Sequence, residues 1–145
     1  MLPGKSRPSP LIILCVVGSL FFLFSGTAYA DLFEIQTAVI EQDYARAAEL
    51  AQQLIDSNPS ASQRLEAEYF LGLSRINQGE ASTAKEIFEG ILKKNPPANL
   101  KERATLGVID SLMLEGSFET ALEMAQRLLQ ASPKSEYLSL IYYKI

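Results

Sequence analysis

The chain has 145 residues, 48% of them hydrophobic and 21% charged, with a formal net charge of −4; these are the proportions of an ordinary globular chain with room for one domain. It contains no histidine and a single cysteine, which excludes serine-histidine-acid catalysis and argues against structural zinc or histidine-ligated iron and copper. Acids and bases are interspersed with no basic block, so nucleic acid and anionic membrane surfaces are poor partners.

The first thirty residues differ in kind from the rest. They hold Lys5, Arg7 and no acid, then an uncharged run from Leu11 to Phe24, then Ala28-Tyr29-Ala30 before Asp31. A basic start, a short apolar core and a small-x-small site predict a secretory signal peptide cleaved after Ala30. The protein is therefore expected to be exported, periplasmic or secreted. The apolar run is short for a spanning helix, which needs roughly 20 residues. The alternative is an uncleaved anchor over residues 11–30, the one arrangement that would bring a membrane into play. Cys15 follows Ile12-Ile13-Leu14 and lacks the small residues expected before a lipid-modified cysteine. Removing Lys5 and Arg7 leaves 11 bases against 17 acids, a net charge of −6, and no cysteine. Stability must then come from apolar packing, with no disulfide to help.

From Asp31 onward the apolar spacing is helical throughout. Helices are expected over Leu32 to Ile40, Tyr44 to Asp56 and Ser62 to Gln78, the last with Ser62 as N-cap. Three more follow, over Ala81 to Lys94, Leu100 to Glu115 and Phe118 to Ala131. Gly79 and Gly116 supply left-handed turns. Asn58-Pro59, Asn95-Pro96-Pro97 and Ser132-Pro133 act as stops, because proline disfavours helix at the residue before it. Ser135 to Ile145 leaves room for one more short helix. Short links force consecutive helices to lie antiparallel, so the expected class is all-α.

One interval runs through the chain. Ala47, Ala84 and Ala121 are 37 residues apart, as are Tyr44, Ala81 and Phe118, and Pro59, Pro96 and Pro133. A fixed period of this size is the mark of a stacked helical array. The central stretch, Leu71-Gly72, Gly79, Ala84, Phe88 and Pro96, resembles the tetratricopeptide repeat, a helix-turn-helix unit of about 34 residues. The resemblance implies an α-solenoid of about three such repeats, near 31–61, 62–98 and 99–133, plus a C-terminal capping or docking helix over 134–145. Ala47, Gly72, Ala84, Phe88 and Ala121 become packing positions. The first unit departs from the pattern with Gln42 at its turn and Ala51 where Phe88 sits. In the third, Leu106-Gly107 lies two residues out of register and Ile109 stands where the small residue belongs.

Little in the sequence suggests chemistry. The eight glycines are scattered, with no phosphate-binding spacing. Glu66 and Glu68 cannot face each other on a helix, and Glu86 with Glu89 reads as a solvated outer face. No catalytic residue, metal or cofactor is expected. What remains is a binding surface for proteins or peptides. The resemblance implies a concave groove lined by first helices: Gln36 and Val39; then Tyr69, Leu73, Ile76 and Asn77; then Arg103, Leu106, Asp110 and Met113. Leu73, Ile76 and Leu106 serve equally well as core. The lysine and asparagine set that clamps a terminal carboxylate in some family members is absent.

The tail is apolar nearly all round. Tyr137, Leu138, Ile141, Tyr142 and Ile145 are expected to form a contact patch, since a terminal helix of a stable array should be polar outside. Either it packs on a partner or a second copy, or the array continues into a further helix. The function expected from these features is an extracytoplasmic scaffold or adaptor in a bacterial envelope assembly. The alternative is an accessory binding module for a hydrophobic or glycan ligand, against which the absence of tryptophan argues mildly.

Overall fold

A computed structural model describes residues 31–144; residues 1–30, on which the expected signal peptide falls, and Ile145 lie outside them. Seven helices follow in order: α1 Leu32–Ile40, α2 Tyr44–Asp56, α3 Ala61–Asn77, α4 Ala81–Lys93, α5 Ala98–Leu114, α6 Phe118–Ala131 and α7 Leu138–Lys144. Among the described residues there is no strand, and no helix is long and apolar enough to cross a membrane. The 37-residue interval holds to the residue, for α3 and α5 begin and end one interval apart, as do α2 and α4.

The turns obey the same interval. Gln42, Gly79 and Gly116 all take left-handed backbone, at φ of 60°, 83° and 78°. Glycine does this freely, whereas glutamine must accept steric strain at Cβ. Asn58 and Asn95 are left-handed as well, and asparagine tolerates that region better than most residues. Ser132 breaks the series with φ of −129°.

The helix starts differ from expectation at three points. The N-cap of α3 is Ser60, not Ser62. Its hydroxyl accepts from the Gln63 backbone N–H at 3.3 Å while the Gln63 carboxamide oxygen accepts from the Ser60 N–H at 3.2 Å. This reciprocal box satisfies two otherwise free donors, an arrangement that Ser62 with Leu65 three residues on could not form. Helix α5 begins at Ala98, directly after Pro97. Helix α7 begins at Leu138 because residues 132–137 are held in turns, with Ser135 N–H donating to Ser132 O and the Ser135 hydroxyl to Glu102.

The first helices α1, α3 and α5 touch one another in sequence, while α2, α4 and α6 stand farther apart. An array whose helices converge on one side curves toward that side, so the first helices line the concave face. Two buried clusters fill the interior, one from Ile35 to Leu71 and one from Ala84 to Ile141. Tyr69 and Ile87 pack against both and join them. Ala47, Ala84 and Ala121 are all buried, and their small side chains let the paired helices approach closely.

Phe88 sits where three helices meet. A Cβ added to Gly72 of α3 would lie 2.8 Å from its ring, and one added to Gly107 of α5 would lie 2.5 Å away. Gly107 is therefore no slipped copy of Gly72. Gly72 faces the second helix of its own hairpin, and Gly107 faces the second helix of the preceding one. Ile109, expected to stand awkwardly in a small site, is fully buried in the larger cluster. The residues equivalent to Phe88 and Gly107 one interval earlier are Ala51 and Phe70, both in the first cluster. The bulk has changed sides between the two interfaces.

Candidate functional site

The concave face is built from one side of each first helix. On α3 that side carries Glu66, Tyr69, Leu73 and Asn77, and on α5 it carries Arg103, Leu106, Asp110 and Leu114, one interval on. Arg103 ties the two helices together. Its Nη1 donates to the Glu66 carboxylate at 3.1 and 3.3 Å, and its guanidinium carbon lies 3.9 Å from the centre of the Tyr69 ring. Burial works against the Arg103 charge, but the Tyr69 hydroxyl and Glu66 outweigh it and raise its pKa above the ordinary arginine value. Such a stacked, paired arginine is fixed in orientation as well as in charge.

Farther along, Asp110 is paired with Lys144 of α7. Asn99 donates to Glu136 at 2.6 Å and to the Tyr137 hydroxyl at 3.2 Å. Burial pushes the Tyr137 phenol up and Glu136 adds to it, against the Asn99 contact that lowers it. The side-chain amide of Asn77 donates to Leu73 O at 2.8 Å. Each of these charged groups on the face is thus answered from within the array. The contacts left for another molecule are aromatic and aliphatic, with the uncharged amides of Gln36 and Asn77 beside them.

The expected groove residues divide into three groups. Gln36 and Asn77 are exposed, and Tyr69, Leu73, Arg103 and Asp110 are half-buried along the face. Val39, Ile76 and Met113 are half-buried and pack against the clusters, contributing an edge at most. Leu106 is a correction: at 4% exposure it belongs to the core. Its counterpart Tyr69, a longer side chain with a polar end, stays half-buried with the Arg103 guanidinium of α5 over its ring. Sequence reading passed over Glu66, Leu114 and Lys144. The interval was signal enough for two of them, since Glu66 precedes Arg103 and Leu114 follows Asn77 by one period.

The C-terminal patch is also redrawn. Ile141 is fully buried in the larger cluster and Tyr137 packs against it, so one side of α7 is committed to the fold. Leu138 is half-buried. The exposed apolar groups are Leu140, Tyr142 and Tyr143, and Ile145 lies outside the described residues.

A family model described as Tetratricopeptide repeat matches residues 66–98. No curated protein matches the chain, and neither does any solved structure. The matched span runs from Glu66 on the concave face through α3, Gly79 and α4 to the proline stop. The chain therefore carries a tetratricopeptide repeat at residues 66–98, set in an all-α array of three such hairpins and a C-terminal helix.

Proposed function

We propose that this protein, which carries a repeat of a kind that generally mediates protein–protein interaction, is a non-catalytic adaptor, exported to the periplasm of a bacterium, which holds a second protein in an envelope assembly. The sequence of residues 1–30 supports export, with cleavage after Ala30. The observation that supports the binding mode is the internal pairing of the concave face: Glu66 with Arg103, and Asp110 with Lys144. A face with its charges already satisfied favours a neutral, apolar-rich segment over an acidic tail or a free carboxylate. Depletion of free charge around aromatic anchors is what the centre of a protein interface requires.

The test is a photo-crosslinking residue placed at Leu73, and separately at Gln52 on α2, in the protein expressed with residues 1–30 intact. The expected outcome is a protein adduct in the envelope fraction from position 73 and none from 52, lost when Tyr69 is replaced by Glu. Recovery of a saccharide or lipid from the groove, with no protein adduct, would overturn the adaptor in favour of a ligand-binding module. An N-terminus other than Asp31 on the envelope form would overturn the cleavage.

A further inference from the structure

A groove runs along α2 beside the end of α3, with a volume of about 500 Å³. It is lined from Ala45 to Asp56 on one side and by Arg75 and Gln78 on the other, and no residue of the concave face takes part. Eleven residue steps at 1.5 Å each make it about 16 Å long. The chain makes the same α2/α3 junction again between α4 and α5. One interval on, Ala48 becomes Lys85 and Gln78 becomes Glu115. Those two form an ion pair from α4 to the end of α5, with their side chains only 26% and 23% exposed. The second junction therefore places an ammonium group of its own where the first leaves space.

The first junction is short of cations by the same comparison. Lys85 and Lys93 of α4 correspond to Ala48 and Asp56 of α2, while Glu86 corresponds to a second acid, Glu49. Arg75 is the base in the lining, but its charge is already answered by Glu80 at 3.1 Å, and it donates to Gln78 Oε1 at 3.2 Å. Glu49 and Asp56 accept only from amides of their own helix, Gln53 at 3.2 Å and Gln52 at 2.9 Å. Among the described residues neither carboxylate is paired with a base. They stand seven residues apart on one side of α2, about 10 Å along its axis. The methyl groups of Ala45 and Ala48 complete the lining.

We propose that this groove binds a small aliphatic polyamine lying along α2. One ammonium sits by Glu49 and Gln78, where Lys85 meets Glu115 one interval on. The other end reaches Asp56, and the methylenes pass over the Ala48 methyl as a lysine stem would. The ligand thus supplies the two cations that the first junction lacks. Its charges stay close to solvent, so the attraction is screened by salt and the affinity is modest. The site is separate from the concave face, and the proposal does not depend on the adaptor reading.

The test is a titration with spermidine, followed by backbone amide NMR, of the chain beginning at Asp31, which contains every residue of both core clusters. Saturable shifts are expected over residues 45–56 and 75–78, absent from the concave face and weaker at raised salt. Hexane-1,6-diol has the stem without the charge, and magnesium chloride has the charge without the stem; neither should reproduce them. Ala48→Lys/Gln78→Glu rebuilds the pair that α4 and α5 already make, and should fill the groove with helical circular dichroism unchanged. Glu49→Gln/Asp56→Asn removes both carboxylates at constant shape and serves if the first variant misfolds. Each double variant is expected to weaken spermidine by about tenfold, the loss of two exposed ion pairs. No saturable shift, shifts that the diol or magnesium reproduces, or undiminished binding by a folded variant would overturn the proposal. So would a protein adduct from position 52 without spermidine binding, which would give the groove to a partner's lysine.

Discussion

Gln42 is the residue at which sequence and geometry disagree most plainly. It holds the same left-handed turn as Gly79 and Gly116 but carries a Cβ, and its side chain is exposed. Gln42→Gly relieves that strain at the cost of a freer unfolded chain, and is expected to stabilise the protein by about 0.5–1 kcal/mol. A lower midpoint in urea denaturation would contradict this. The glycines at Phe88 work in the opposite sense. Gly107→Ala would place a methyl 2.5 Å from the ring, and the ring is enclosed on both sides. A cost of about 1–3 kcal/mol is expected from overpacking, measurable as a fall in Tm. The same substitution at Gly90, where an added Cβ meets nothing within 4 Å, is expected to leave stability unchanged or raise it.

Between helices, the α2/α3 and α4/α5 interfaces solve one packing problem with opposite assignments, Ala51 with Phe70 and Phe88 with Gly107. Phe88→Ala alone should cost about 3–5 kcal/mol. The double variant Phe88→Ala/Gly107→Phe rebuilds the other arrangement and should recover part of that loss; a double variant no better than the single one would show the two interfaces to be unrelated. Ser60→Ala is expected to cost about 1 kcal/mol as a lost N-cap, with Ser62→Ala within about 0.5 kcal/mol of wild type as a surface change. Helix identity and order were legible in the sequence because the 37-residue interval and the proline stops repeat. The cap was not, since two serines two residues apart offer the same local chemistry and only the Gln63 partner distinguishes them. Nor was the role of Gly107, because a glycine's spacing within its own hairpin says nothing of the ring pressing on it from the hairpin before. Leu106 and Tyr69 share a register position, and spacing alone does not say which of them is closed into the core.

At the scale of the whole molecule, the two clusters meet through Tyr69 and Ile87. Arrays of this kind unfold as coupled neighbours, with cooperativity set by the strength of each junction. The wild type should therefore melt in one transition. Tyr69→Ala/Ile87→Ala should separate it into two, visible by calorimetry as a van't Hoff enthalpy below the calorimetric one. The exchange of bulk between Ala51/Phe70 and Phe88/Gly107 has a last consequence, for the genetics of such arrays. Duplicating the middle hairpin in tandem would set Phe88 against a second Phe70, two rings in a site built for one. Deleting it would set Ala51 against Gly107 and leave a void. The hairpins share a period and a fold but are not interchangeable parts, and their order is written into which side of each junction carries the ring.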